Sequence, residues 1–178
     1  MSSAVPIQKL HHFAYRCADA EETRRFYEDL LGLPLVHVIR SERVPSTGEH
    51  CPYVHIFFEM KDGSYIAFFD LGDNQRSEPS PNTPAWVNHL ALEVDSMDDL
   101  LAARQRLVDA GVDVIGPTNH GFVSSIYFFD PNGIRLELTT RTDSSVLEAP
   151  DARLVARRAV DAWTEEKRQR RSSPDYVK

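Results

Sequence analysis

Stretches of alternating apolar and polar residues mark strands in this chain, and apolar stripes at helical spacing mark two helices between them. Leu10 to Arg16 alternates, with Phe13 and Tyr15 on one face and His12, Ala14 and Arg16 on the other, the period of two expected of a strand. A helix follows. Asp19 is a good N-cap with Glu22 three residues on; Phe26, Tyr27, Leu30 and Leu31 form its buried stripe, and Gly32 ends it. Pro34 opens a second strand through Arg40, and the polar run Ser41 to Pro52, with Pro45 and Gly48, reads as a loop. Tyr53 to Met60 sets Val54, Ile56, Phe58 and Met60 against Tyr53, His55, Phe57 and Glu59. Asp62-Gly63 then turns the chain into a strand over Tyr65 to Asp70. The unit reads β-α-β-β-β.

After the polar, proline-bearing residues 71–84, the same order returns. Val87 to Val94 is expected to be a strand, with Leu90, Leu92 and Val94 opposite His89, Ala91 and Glu93. Ser96 caps a helix whose stripe is Met97, Leu100, Leu101, Leu107 and Val108, and Gly111 stops it. Val112 to Ile115 reads as a short strand and Gly116 to Gly121 as a loop. A hairpin closes the unit: Asp130-Pro131-Asn132-Gly133 is a turn, proline fixing one φ and Asn-Gly accepting the left-handed conformation. Beyond it Ile134, Leu136 and Leu138 point one way, and Arg135, Glu137 and Thr139 the other. Two registers make the duplication concrete. His12 and His89 each lie seven residues before a helix cap, Asp19 or Ser96; Gly63 and Gly133 each lie four residues before Ala67 or Glu137. A repeat of this size implies two halves sharing one core.

The helix-facing sides are apolar in both halves, so the opposite faces line something else. If the halves pair about a pseudo-twofold axis, His12 and His89 face a common interior and Glu137 joins them. Two imidazoles and one carboxylate with open positions form a facial triad suited to Fe(II) and acceptable to Mn(II) or Zn(II). Such a site carries a charge near +1 and favours an anionic ligand. Ala67, the fourth symmetric place, cannot ligate and leaves room for water or substrate. Against this stands the ordinary reading of each residue: a histidine on a strand is often a satisfied polar group, and Glu137 has Arg135 or Arg16 as possible ion-pair partners. His11 is a rival to His12, but it shares its face with Phe13 and Tyr15, on the helix side. Tyr53, His55, Phe57, Tyr65, Phe69 and Tyr127 fall on the inner faces and suit a flat, apolar ligand, although Phe57 and Phe69 read better as filling.

Composition narrows the classes. The 178 residues suffice for a real core, and the net charge of −7 argues against general nucleic-acid binding. Two cysteines, Cys17 and Cys51, are too few for a disulfide framework. No apolar run approaches the roughly 20 residues that span a bilayer, and Met1 to Lys9 lacks a signal core. A cytoplasmic protein without membrane or nucleic-acid partners is expected. At the other end Pro150 to Arg171 reads as a helix, with Val155, Ala159 and Trp163 on one stripe and basic residues at its end.

The segments "LHHFAYRCADAEETRRFYEDLLGLPLV", "WVNHLALEV" and "YFFDPNGIRLEL" resemble the vicinal oxygen chelate superfamily, which includes glyoxalase I, methylmalonyl-CoA epimerase, fosfomycin-resistance transferases and type I extradiol dioxygenases. The resemblance covers Ile7 to Thr140. It implies an α+β fold: two βαβββ modules forming a curled mixed-sheet half-barrel around a metal site, here with a C-terminal helix added. Residues 1–140 would be one such domain, with modules over about 7–70 and 85–140, and 141–178 an extension. The resemblance carries metal roles to His12, His89 and Glu137. Glyoxalase I and the epimerases add a fourth protein ligand, absent at Ala67, so the three-ligand pattern is closer to the dioxygenases and fosfomycin enzymes. Tyr127 matches the dioxygenases' active-site tyrosine, although fosfomycin enzymes often carry one too. His120 lies near the place of a dioxygenase loop histidine. The dioxygenase acid–base histidine falls near Ser64, a departure for which His55 is the substitute.

The resemblance therefore implies a metal-dependent enzyme on a small aromatic or enediol-like chelating substrate, foremost an extradiol-type Fe(II) dioxygenase cleaving a catecholic ring. His55 or His120 would move protons and Tyr127 would hydrogen-bond a substrate oxygen. The alternatives are a non-oxidative lyase, isomerase or transferase using the metal as a Lewis acid, and a metal-free small-molecule binding protein. A homodimer is expected, since modules of this superfamily often pair between chains.

Overall fold

A computed structural model describes residues 5–172. Two four-stranded mixed sheets carry the fold, each open and neither closed into a barrel. Strands β1 (His12–Cys17), β2 (Leu35–Arg43), β3 (His50–Glu59) and β4 (Tyr65–Asp70) form the first, in the order β1-β4-β3-β2. Strands β5 (Leu90–Glu93), β6 (Ile115–Asn119), β7 (Val123–Phe129) and β8 (Arg135–Arg141) form the second, in the order β5-β8-β7-β6. In each, the first strand runs parallel to the last and the remaining pairs are antiparallel. The duplicated β-α-β-β-β order thus appears as two sheets of identical topology, the α+β architecture expected from the pattern.

Helix α1 (Ala20–Arg24) starts at Asp19, whose Oδ1 accepts from the Glu22 amide at 2.7 Å, and α2 (Met97–Asp109) starts at Ser96, whose Oγ accepts from the Asp99 amide at 3.1 Å. Each cap satisfies one amide that the first turn leaves without a partner. Arg25–Leu30 continues α1 as a π-helical stretch, where the Leu31 amide reaches back to the Phe26 carbonyl. The adjacent Phe26 and Tyr27 are both buried. Tyr27 packs on Phe58 and Phe68 of the first sheet, with centroids 5.3 and 4.9 Å away, while Phe26 lies 6.3 Å from Phe128 of the second. One hydrophobic core therefore joins Ile56, Phe58, Ile66 and Phe68 to Ile126, Phe128, Leu136 and Leu138, with Leu100 and Leu107 of α2.

A buried polar cluster ties α1 to the β7–β8 turn. Tyr27 donates to Asp130 at 3.1 Å, the Ile134 amide to Asp130 at 2.7 Å, and Asn132 to Thr23 at 3.2 Å, while the Ala18 amide donates to Asn132 at 3.0 Å. Burial raises the Asp130 carboxyl above its ordinary value, and raises the Tyr27 hydroxyl well above its own.

Four local expectations are corrected. Ser41 to Pro52 is not all loop: β2 and β3 extend until Arg43 pairs with His50, because exposed hairpin residues pair through their backbone whatever their polarity. Val87 to Asn88 is a turn rather than strand, so His89 directly precedes β5. The strand assigned to Val112 to Ile115 begins only at Ile115 and runs through Asn119, with a register shift around Gly116-Pro117. Gly116 has φ 104°, and a Cβ there would meet the Ser125 carbonyl oxygen at 2.6 Å, so the bulge needs glycine. In the β7–β8 turn Gly133 takes the positive φ of 79° and Asn132 does not.

The extension forms two helices, α3 (Ser145–Glu148) and α4 (Ala152–Ser172). No residue of α4 is buried; Trp163 is exposed, and Arg170 lies over its ring at 4.9 Å. Among the described residues no helix is long and apolar enough to cross a membrane.

Candidate functional site

The inner face of the second sheet holds the best-formed polar pair. Glu137 lies mid-way along β8, one residue out of phase with the core residues Leu136 and Leu138, and its side chain is only 8% exposed. Parallel pairing sets Ala91 of β5 opposite Glu137, which places His89, two residues earlier, on the same face. His89 Nε2 and Glu137 Oε2 are 3.0 Å apart. The other ring nitrogen, Nδ1, meets the Val87 carbonyl oxygen at 3.0 Å. A carbonyl only accepts, so Nδ1 carries a proton, and Nε2 is the ring nitrogen that faces the carboxylate. An imidazole nitrogen and a carboxylate oxygen, both of them metal-ligand types, then face each other, the carboxylate buried and the ring open to solvent. Two adjacent ligands about 2.1 Å from one octahedral cation would stand about 3 Å apart, so this donor pair fits a shared divalent ion. The backbone bond to Nδ1 is the kind of support that orients metal-binding imidazoles.

Neither arginine weighed as a partner of Glu137 pairs with it. Arg16 pairs with Asp73 of the linker, and Arg135 donates to the Trp86 carbonyl oxygen. Tyr127 of β7 is directly opposite Glu137 in the ladder, so both project from one face. Its hydroxyl meets His120 Nε2 at 2.7 Å, and its ring lies 6.1 Å from that of His89. Burial, then the charge of Glu137, raises the Tyr127 hydroxyl above its ordinary value and keeps it protonated. His120, Tyr127, His89 and Glu137 therefore line one continuous path.

His12 stands elsewhere in the chain. It opens β1 opposite Tyr65, with its Nδ1 2.8 Å from His11 Nδ1 and its ring 6.3 Å from His55. Among the described residues no three His, Cys, Asp or Glu side chains gather as a metal cluster. His55 is stacked on its cross-strand neighbour Phe69 at 3.6 Å, and its buried Nε2 has no hydrogen-bond partner. Burial, then the neighbouring His12 and His37, lowers its pKa to about 4, so the ring is neutral at physiological pH. Ser64, near which the resemblance puts the dioxygenase acid–base histidine, is buried and donates to Asp62 at 2.6 Å, a turn-forming role. Ala67 is fully buried opposite Ala14 and Phe57. Sequence reasoning placed Arg135 on this face as an ion-pair partner for Glu137 but missed its contact with Tyr127. Its guanidinium carbon lies 4.4 Å above the Tyr127 ring, and only its alternation with Glu137 hinted at it.

The chain as a whole is similar to several known proteins. Biphenyl-2,3-diol 1,2-dioxygenase 2 of Rhodococcus globerulus is 29% identical over 102 residues, covering 53% of this chain and 54% of that protein. The chain thus spans about half the length of that relative. A glyoxalase/dioxygenase from Nostoc punctiforme superposes with a TM-score of 0.57 at 22% identity, over 80% of this chain and all of the other. TnmS3, an antibiotic binding protein from Streptomyces sp. CB03234, superposes at 0.53 with 21% identity over 78% of this chain and all of the other. At such identities the two structures establish the fold alone. The model of the Glyoxalase/Bleomycin resistance protein/Dioxygenase superfamily matches residues 9–138, most of the chain, and the protein belongs to that superfamily.

Proposed function

We propose that the protein is an extradiol-type dioxygenase that cleaves a catecholic ring, with Fe(II) held by His89 and Glu137 of one subunit and His12 of a second. The observation that carries this reading is the inward-facing donor pair, His89 Nε2 and Glu137 Oε2, at 3.0 Å. The second subunit is invoked because, among the described residues, His12 does not gather with His89 and Glu137 within one chain. The likeness to a biphenyl-diol dioxygenase supports the choice of a catechol.

Fe(II), when bound, supplies activation of O2 and of a chelating diol in one coordination sphere. The chain's own residues do the rest. Tyr127 keeps its proton and presents it to a substrate oxygen, while His120, 2.7 Å from that hydroxyl, relays it. His55 is neutral, and with a pKa lowered to about 4 it is a weak base; its unpartnered ring nitrogen suits it to accept a hydrogen bond from the diol rather than to take its proton. Phe57 and Phe69 flank it and keep that nitrogen dry.

The test is oxygen consumption by protein loaded with Fe(II) under anaerobic conditions, then exposed to air with a panel of catechols. Uptake coupled to a yellow ring-opened product is expected, and Glu137→Gln should abolish it together with bound iron. Iron retained at one per subunit with no uptake on any catechol would reject ring cleavage and favour Lewis-acid chemistry. Failure to bind any divalent ion would reject both.

A further inference from the structure

Beside the donor pair lies a cavity of about 550 Å³ roofed by the linker between the two sheets. That volume falls within the range of small-molecule sites. Phe13 and Tyr15, on the face of β1 opposite His12, give it an aromatic wall, their rings 4.4 Å apart. His89 lines the same cavity, so it borders the candidate metal site.

Its wall carries two guanidinium groups. Arg76 and Arg135 both line it. Neither has a carboxylate partner among the described residues, whereas Arg16, Arg24 and Arg141 each have one. Arg135 donates to the Trp86 carbonyl oxygen and rests on the Tyr127 ring, which fixes its plane and leaves other N–H groups free. Arg76 lies against Gly133, where even a Cβ would stand 3.7 Å from its guanidinium nitrogen. Glu78 is the single carboxylate on the wall. Two guanidinium groups against one carboxylate leave a surplus of one positive charge.

We propose that this cavity is a subsite for the carboxylate of a planar, singly charged aromatic acid, its ring against Phe13 and Tyr15 and its carboxylate on Arg76 and Arg135. As an anion-binding cavity it stands on its own. As part of the substrate site it rests on the reading of His89 and Glu137 given above, and it narrows the substrate to a catechol that bears an acidic group. Guanidinium groups match carboxylates in geometry as well as charge.

The experiment separates the two layers. The full chain, stripped of metal, is titrated calorimetrically with benzoate and 2-naphthoate and with their neutral amides. At least one acid should bind about tenfold or more tightly than its amide. Added salt should erode that preference, Arg76 being exposed. Arg135→Gln and Arg76→Gln should each remove about tenfold, whereas Glu78→Gln should tighten the acid, an opposite sign that misfolding would not produce. Equal binding of acid and amide, no binding of either acid, or acid affinity unchanged in both arginine variants overturns the proposal. In iron-loaded protein a carboxylated catechol should then exceed plain catechol by about tenfold or more in kcat/KM. Acids that bind as expected while no catechol is turned over keep the cavity and reject the dioxygenase.

Discussion

The two β-α-β-β-β units share a plan and differ in chemistry. Strand order, the parallel first pair, the side-chain helix cap and the apolar helix-facing side are the same in both. The other faces diverge. The first sheet presents His12, His55, Phe57 and Tyr65; the second presents His89, Tyr127 and the acid Glu137, where the first has Ala67. Repetition governs what must pack, because a core accepts equivalent apolar residues in both halves. It does not govern what must react, because an asymmetric ligand set needs its acid only once.

The sharpest way to break the comparison is to damage each face in a different chain. His12→Ala and Glu137→Gln should each lower activity at least about a hundredfold. Mixed and allowed to exchange subunits, the two inactive proteins should recover about a quarter of native activity, since half of the dimers then hold one intact site. Exchanged dimers, verified by mass, that stay inactive would show that unlike faces do not meet between subunits. The shared plan predicts equal losses in the cores. Phe58→Ala and Phe128→Ala empty equivalent places at 0% and 1% exposure and should each cost about 3–5 kcal/mol in urea unfolding. A loss confined to one would mean that the halves do not carry the core alike.

Alkali should expose a difference between the units. Burial pushes the Cys17 thiol of the first unit up to about 11 from an ordinary 9. The unfolded chain therefore loses this proton first. The stability it contributes is whole below pH 9 and disappears as the pH rises through 11, by about 3 kcal/mol at most. Cys17→Ala should flatten the fall in unfolding midpoint over that window. It should not abolish the fall, because the buried Tyr27 hydroxyl adds a loss of the same sign. The smallest effects belong to the caps: Asp19→Ala and Ser96→Ala should each cost about 1 kcal/mol by thermal unfolding. The aspartate should cost slightly more, because its charge also favours a helix N-terminus.

Much of this plan is legible in the chain. Asp19 and Ser96 announce their helices, and the alternation around Asp130-Gly133 yields β7 and β8 with Glu137 off the core side. What the sequence hides is set by backbone geometry and by distance. Nothing in Arg25–Leu30 signals π-helical winding, which decides that Phe26 and Tyr27 reach different sheets. The position of His89 just outside β5 depends on a turn at Val87, and that turn also supplies the carbonyl that orients its ring. Periodicity puts His12 and Glu137 on the strand faces turned away from the core but carries no information on which of those faces meet. Arg76 is unreadable for a related reason: a residue in a polar linker gains meaning only when the linker folds over a cavity.

The solvent-bathed helix α4 has a consequence for how such a protein can vary. A rod that shelters none of its own side chains takes no part in the jigsaw of the body. Its length, charge and sequence can be changed, or exchanged for a tag or a tether, without opening a gap in the packing around Glu137 and Tyr127. Innovation in this chain has its freest ground there.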